Sequence, residues 1–223
     1  MAKLYVKLGC MNTGKSTALL QVANNYEETG SKVLIMKPSI DTKGDDAVVS
    51  RLGIKRKVDV LVKQQSKSIL DNETTTGKPI NFDGISCILV DEAQFMSPKH
   101  VFELWTITKE LNIPVIAYAL KVNFRGELFE GTKALLQYGE KIDTQSQIAM
   151  CSCGCGKKAK FNARRDKDTL EFDLTGPEVK IDGTTNDEYL PLCGDCFYKL
   201  VASKKPGSKK VIEKVKGFAK KEH

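Results

Sequence analysis

The loop GCMNTGKS, Gly9–Ser16, constrains the fold more than any other feature of this chain. It fits the pattern GxxxxGK(S/T), in which glycines flank a turn that ends in lysine and a hydroxyl residue. An apolar strand candidate, Leu4–Leu8, precedes it, and a helical pattern from Lys15 to about Thr29 follows it and stops at Gly30. Strand, loop and helix in this order predict a nucleoside triphosphate site rather than a structural turn.

Each residue type in the loop has a physical role. The glycines let backbone N–H groups face an anion, and the N-terminus of the following helix adds positive potential. Lys15 is expected to reach the β- and γ-phosphates, and Ser16 to ligate Mg²⁺. The loop residues predicted to bind ATP and Mg²⁺ are Gly9, Cys10, Met11, Asn12, Thr13, Gly14, Lys15, Ser16 and Thr17.

Strand and helix patterns alternate over the first two thirds of the chain. Further strands are predicted at Lys32–Lys37, Ile85–Asp91 and Ile113–Leu120, and further helices from Ser97-Pro98 through Leu111 and over Glu127–Tyr138. The segment Arg51–Lys67 fits neither period, and Asp71–Gly84 is typical of a loop. The alternation predicts an α/β fold of the P-loop NTPase (RecA-like) type, with a parallel sheet flanked by helices.

The pattern changes near Met150, after which cysteines, charged residues and short β-like pieces (Leu170–Leu174 and Glu178–Ile181) predominate. We therefore expect a nucleotide-binding domain at 1–149, a small β-rich domain at 150–202 and a Lys-rich tail at 203–223. The tail is expected to be flexible, with weak contact to polyanions as the alternative. Its eight lysines and two glutamates carry +6 of the chain's net charge of +7, so the body is not a basic nucleic-acid-binding surface.

The absence of a long apolar run and of an apolar leader segment predicts a soluble, cytoplasmic protein without membrane contact.

Acidic residues follow the buried strand in ILVDEAQF, at the strand end where α/β sheets place ligands. Asp91 is expected to hold Mg²⁺ through water. Glu92 is then free either to polarise water in an ATPase or to accept a proton from a substrate hydroxyl. A surface acid pair at a strand end is the alternative.

Five of the seven cysteines form two clusters, which in a reducing compartment favours metal binding over disulfides. Cys193 and Cys196 have the C-x-x-C spacing that aims two thiolates at one tetrahedral zinc ion. The other cluster offers Cys151, Cys153 and Cys155, and only two of these are needed. A closed, structural zinc site is predicted.

Several motifs occur together in a fixed order: GCMNTGKS, KPSIDTK (Lys37–Lys43), VDEAQF (Val90–Phe95), ALKVNFRGELF (Ala119–Phe129) and the C-terminal cysteines. The set resembles the type II thymidine kinases, which include cellular cytosolic, bacterial and phage enzymes, and it covers about Lys3–Leu200. The resemblance implies ATP- and Mg²⁺-dependent phosphorylation of the 5′-hydroxyl of thymidine, a structural Zn²⁺ and a homotetramer. Deoxyuridine is also an expected substrate, because it differs by a single methyl group.

The resemblance also implies roles for individual residues. Glu92 takes the position of the general base, and Asp91 and Gln94 join the ATP and Mg²⁺ set. Zinc ligands are implied at Cys153, Cys155, Cys193 and Cys196, since the Gly-Lys-Lys-Ala that follows Cys155 matches the family, with Cys151 as the alternative to Cys153. Residues implied to bind thymidine are Met11, Asp41, Phe95, Leu120, Phe124, Phe129, Asn162 and Tyr189.

A loop that closes over the base, as the family's lasso does, is implied for Thr175–Leu190. Lys43 stands where the family more often has arginine, and an arginine that stabilises the transferred phosphoryl group, Arg125 or Arg164, is unassigned. Two rival functions remain. One is a DNA-stimulated ATPase, and the other a zinc-ribbon module that binds nucleic acid or protein.

Overall fold

The computed structural model describes residues 1–39, 46–144, 148–176, 186–204 and 207–219. The chain forms two compact units. The first unit comprises Met1–Val122 and Leu128–Ile148, and the second unit comprises Asn123–Glu127 and Ala149–His223. The short segment Asn123–Glu127 therefore belongs to the second unit, although the sequence placed it inside the nucleotide-binding domain.

A six-stranded sheet forms the centre of the first unit, in the order β5-β2-β6-β7-β1-β8. All of its strand pairs are parallel, which confirms the predicted α/β class. Strands β6 and β7 are largely buried, because their apolar runs face packed layers on both sides. The strands of this unit are β1 (Leu4–Gly9), β2 (Lys32–Ser39), β3 (Ala47–Val49), β4 (Lys55–Lys57), β5 (Val60–Lys63), β6 (Ile85–Val90), β7 (Val115–Leu120) and β8 (Lys141–Asp143).

Helices α1 (Lys15–Glu28), α2 (Pro98–Glu110) and α3 (Glu130–Tyr138) pack against this sheet. Residues of α1 enter one hydrophobic cluster, and residues of α2 and α3 enter another, so helices provide both apolar clusters that bury the strands. Helix α2 begins as predicted, since the Ser97 hydroxyl accepts the N–H of His100 at 3.1 Å and Pro98 occupies the first position.

Two regions of the first unit differ from the sequence expectation. The ambiguous segment Arg51–Lys67 contains β4, which pairs antiparallel with β3, and β5, the edge strand of the parallel sheet. Helix α3 begins at Glu130, three residues later than predicted. The reason is a side-chain turn, in which the Asn123 Oδ1 atom accepts the N–H groups of Arg125 and Glu127 at 2.9 and 3.0 Å.

The second unit contains a three-stranded antiparallel sheet in the order β10-β9-β11. Its strands are β9 (Phe161–Asp166), β10 (Phe172–Asp173) and β11 (Asp187–Leu192), followed by helix α4 (Gly194–Lys204). Strand β10 lies within the predicted Leu170–Leu174, but β9 and β11 were not predicted, and Glu178–Ile181 lies outside the described residues. Across the described ranges, every helix is too short or too polar to span a bilayer.

A helix, α5 (Ser208–Ala219), stands where the sequence predicted a flexible tail. Val211, Ile212 and Val215 recur at helical spacing among its lysines, a pattern that the Lys-rich composition obscured. The Ser208 hydroxyl donates to the carbonyl of Val201 at 3.3 Å, which ties the start of α5 to α4. Val211 and Val215 are 64% and 62% exposed, whereas Ile212 is half-buried.

Candidate active site

Three parallel strands of the first unit end at the same edge of the sheet. Gly9 pairs in register with Leu120, and Val90 with Ala117, so β1, β6 and β7 finish close together. The phosphate-loop motif follows β1, and the acidic pair Asp91-Glu92 follows β6. Two motifs that are about eighty residues apart in sequence therefore meet at the carboxyl edge, where α/β sheets bind ligands.

The phosphate loop depends on glycine at both ends. A Cβ atom on Gly9 would lie 2.7 Å from the Thr13 hydroxyl, so no larger residue fits there. At the other end Gly14 has φ +79°, in the left-handed region, and caps the N-terminus of α1. The Thr13 hydroxyl donates to the carbonyl of Cys10 at 3.0 Å and holds the loop closed. This shape and the helix N-terminus behind it suit an anion.

Lys15 lies against the loop that it follows. Its Nζ atom donates to the carbonyl of Cys10 at 2.9 Å. Burial lowers the pKa of Lys15 from its usual value, while the nearby carboxylates of Glu92 and Asp91 oppose that shift. The site thus places the half-buried Lys15 beside two acids, which is a charge pattern that a phosphate with a divalent cation would complete.

Ser16 and Asp91 form the pair that the sequence predicted for Mg²⁺. The Ser16 hydroxyl donates to Asp91 Oδ2 at 3.1 Å, and the side chain of Asp91 is buried. Asp91 Oδ1 is also buried and has no hydrogen-bond partner among the described residues. A buried, unsatisfied carboxylate oxygen beside a hydroxyl fits Mg²⁺, which prefers oxygen ligands. Burial, and then the charge of Glu92, raises the pKa of Asp91 to about 6.

Glu92 is held in an unusual backbone conformation, with φ +49° and ψ +36°. Non-glycine residues seldom adopt this region, because it costs about 1–3 kcal/mol and persists only where the surrounding structure enforces it. Gln94 holds the side chain of Glu92 in place. Its Nε2 atom donates to Glu92 Oε2, and its Oε1 atom accepts the N–H of Leu120 at 2.9 Å. The buried amide therefore joins the Glu92 carboxylate to the end of β7.

Gln94 was predicted to bind ATP or Mg²⁺. Its side chain hydrogen-bonds with Glu92 and Leu120, so the structure gives it a second role, which is to orient the acid. The sequence analysis missed Gly131, whose added Cβ would lie 2.5 Å from the carbonyl of Gln94. Only glycine lets α3 approach the Ala93–Phe95 turn this closely. A glycine inside a predicted helix was the available signal.

The predicted thymidine-binding residues fall in both units. In the first unit the rings of Phe95 and Phe129 meet edge to face with centroids 5.5 Å apart, beside the half-buried Leu120 at the same sheet edge. In the second unit Phe124 and Asn162 are buried, and Tyr189 lies on β11. The remaining predicted ligands are Met11, half-buried in the phosphate loop, and Asp41, which lies outside the described residues.

The cysteine clusters converge in the second unit. The Sγ atoms of Cys151, Cys153, Cys155 and Cys196 all lie within 4.8 Å of one another, and Cys193 Sγ is 3.7 Å from that of Cys155. Cys151 Sγ also accepts the N–H of Cys193 at 3.1 Å. Thiolates at this spacing fit zinc. Cys151 and Cys153 both lie in the cluster, so the choice between them as the ligand that joins Cys155, Cys193 and Cys196 stays open.

A family model described as thymidine kinase matches residues 2–197, which include the phosphate loop, the acidic pair and all five clustered cysteines. Proteins named thymidine kinase from Lactococcus lactis subsp. lactis (strain IL1403) and Streptococcus gordonii (strain Challis) are 39% and 40% identical to the chain over 201 residues. The alignments cover 89% of this chain and 98% and 97% of those proteins. One from Legionella pneumophila (strain Lens) is 36% identical over 211 residues, 94% of this chain and 96% of that protein.

Proposed function

The chain belongs to the thymidine kinase family, and from that premise we propose that it transfers the γ-phosphoryl group of ATP to the 5′-hydroxyl of thymidine. The observation that carries the proposal is the position of Glu92. Its carboxylate is oriented by Gln94 immediately after Asp91, which is bonded to Ser16 of the phosphate loop. A proton acceptor and the predicted phosphate site therefore share one edge of the sheet.

On the phosphate side, the chain supplies positioning and charge neutralisation, which phosphoryl transfer chiefly needs. The loop's backbone and the N-terminus of α1 would hold the triphosphate, and the Lys15 ammonium would balance the charge of its β- and γ-phosphates. Ser16 and Asp91 would hold Mg²⁺, which, when bound, neutralises charge on the phosphate oxygens.

On the acceptor side, Glu92 would take the proton of the 5′-hydroxyl as its oxygen attacks the γ-phosphorus. The bond between the γ-phosphorus and the bridging oxygen breaks, ADP leaves with that oxygen, and thymidine monophosphate forms. Gln94 keeps the carboxylate in place because its amide is itself fixed by the N–H of Leu120. A base must lie within hydrogen-bond reach of the proton that it removes, so this fixation serves catalysis.

For the nucleoside, we propose that Phe95, Leu120, Phe124 and Phe129 pack against the thymine ring, as the family resemblance implies, and that Asn162 and Tyr189 make further contacts. Apolar walls discriminate a single methyl group by only about 1–3 kcal/mol. Deoxyuridine should therefore be phosphorylated as well, with a lower kcat/KM than thymidine.

The test is direct detection of thymidine monophosphate from thymidine, ATP and Mg²⁺. We expect its formation to equal ADP formation, and 5′-deoxythymidine, which lacks the attacking hydroxyl, to inhibit without being converted. ADP formed without the monophosphate, or ADP formation that depends on added DNA, would replace the kinase with the rival ATPase. Salt-sensitive nucleic-acid binding with no turnover would favour the zinc-ribbon alternative.

Three further proposals concern the metal, the location and the assembly of the protein. The thiol cluster is proposed as a structural Zn²⁺ site, because thiolates alone suit zinc and none of the described cysteines forms a disulfide. A cytoplasmic location is proposed on the same ground, since clustered thiols that bind a metal are typical of a reducing compartment. A homotetramer is the assembly that the family resemblance implies, and mass measurement in solution tests it.

Magnesium-dependent nucleotide binding is expected to weaken at acid pH. The pKa of Asp91 is raised to about 6, so its carboxylate is ionised above that pH and protonated below it. A metal that needs the ionised oxygen must displace the proton, so affinity for Mg²⁺–ADP should fall by up to about tenfold per pH unit below the pKa. Calorimetric titration on either side of pH 6 measures this. Asp91→Asn, which cannot titrate, should bind Mg²⁺–ADP weakly at every pH and show no step near pH 6.

A further inference from the structure

Arg164 is a fully buried arginine at the centre of the second unit's sheet. It lies on the middle strand β9, directly opposite Asp173 of β10 and Tyr189 of β11. Residues opposite each other in antiparallel strands project from the same face of a sheet. Arg164 therefore shares its face with Tyr189, which the proposed function assigns to the nucleoside. A buried charge at such a position must be compensated by its neighbours.

Three neighbours compensate it. The Arg164 Nη2 atom donates to Asp173 Oδ2 at 2.5 Å and also to the carbonyl of Thr175. The guanidinium carbon lies 3.8 Å from the centre of the Phe124 ring. The same side chain is thus ion-paired through one nitrogen and stacked on an aromatic face, and a lysine ammonium lacks the plane that stacks on the ring.

These contacts fix the start of the segment that follows β10. Asp173 Oδ1 accepts both the N–H and the hydroxyl of Thr175 at 2.6 Å, and Arg125 Nη1 donates to the carbonyl of Gly176 at 2.7 Å. Gly176 has φ +80°, and an added Cβ would lie 3.0 Å from Arg164 Nη2. The backbone at Thr175–Gly176 therefore rests directly on the guanidinium group.

We propose that Arg164 is a positioning residue for the nucleoside. Its guanidinium sets the angle of the Phe124 ring and the direction of the Thr175 carbonyl, and so determines thymidine affinity rather than the rate of phosphoryl transfer. The inference rests on the proposed function, in which Phe124 contacts the base. The inference also assigns Arg164 a role other than charge neutralisation at the phosphoryl group, because its Nη2 atom donates to Asp173 and Thr175.

The test compares Arg164→Lys with Arg165→Lys. Arg165 is the next residue on β9, projects from the opposite face and pairs with Glu188 at 2.5 Å, so it undergoes the same substitution away from Phe124. For Arg164→Lys we expect the KM for thymidine to rise roughly tenfold, while kcat and the KM for ATP stay within about twofold. Arg165→Lys should leave all three values unchanged. Calorimetry with thymidine provides the same comparison without turnover.

The outcomes separate the alternatives. A lowered kcat with an unchanged KM for thymidine would overturn the inference and favour a phosphate-contacting arginine. Equal effects of the two substitutions would also overturn it. Where Arg164→Lys does not fold, as judged by thermal melting, Asp173→Asn decides. It removes the ion pair but keeps the guanidinium, and should raise the KM for thymidine several-fold. Wild-type protein that binds thymidine but forms no monophosphate would refute the proposed reaction and leave the binding comparison valid.

Discussion

Glu92→Gln is expected to lower kcat for thymidine monophosphate formation by about 10²–10⁴-fold, the range that a positioned general base contributes. The amide has nearly the same shape as the carboxylate and can still bond to Gln94, so the Ala93–Phe95 turn should persist. It cannot accept the proton of the 5′-hydroxyl. Because the charge of Glu92 helps to raise the pKa of Asp91, its removal should leave Asp91 ionised at neutral pH. Nucleotide binding should therefore be retained.

Quenched-flow measurement of the monophosphate, with calorimetry of Mg²⁺–ADP, separates these effects. Glu110→Gln is a matched control, since Glu110 is exposed at the end of α2 and makes the same charge change outside the site. A Glu92→Gln enzyme as fast as wild type would remove Glu92 from the base role. A variant that lost nucleotide binding in the same proportion would instead indicate a role in metal or phosphate binding.

Removal of the proposed zinc ion from the second unit is expected to have the largest effect on stability. The hydrophobic cluster of this unit is small and includes Cys151 and Cys193 themselves. A unit with so small a core usually requires a metal or disulfides. Structural zinc contributes apparent free energies of about 10–16 kcal/mol in zinc-finger peptides, so its loss should unfold the sheet β10-β9-β11. Hydrogen exchange should show loss of protection in β9 and β11, with the first unit protected as before.

Single cysteine variants identify the ligands. Cys155→Ser and Cys196→Ser should each abolish stoichiometric zinc, measured by atomic emission, whereas Cys87→Ser, buried in the first unit, should retain it. The prediction of Cys153 as a ligand requires that Cys153→Ser lose the metal and Cys151→Ser keep it. The reverse result would exchange the two. Retention of zinc and of exchange protection in Cys196→Ser would contradict a structural zinc site at this cluster.

Much of the first unit could be predicted because its signals are local. The phosphate-binding pattern of Gly9–Ser16 is recognised from consecutive residues, and so is the acidic pair that follows the apolar run of β6. Even the contact between Ser16 and Asp91 could be predicted, since parallel strands end at one edge. The second unit was less predictable. Strands β9 and β11 are as long as β6 but carry many polar and charged residues, so their composition does not indicate strands, and they are defined by their pairing with each other.

The sequence by itself determined the α/β class, the phosphate loop, the acidic pair and the presence of a thiol cluster, because each depends on spacing within a few residues. Only the tertiary structure decided how Gln94 reaches from Glu92 to Leu120, why α3 requires Gly131, and that Arg164 stacks on Phe124 while pairing with Asp173. These contacts join residues from different elements. A single polar side chain forms no periodic pattern from which its partner could be predicted. Its role depends on which strands and turns pack against it.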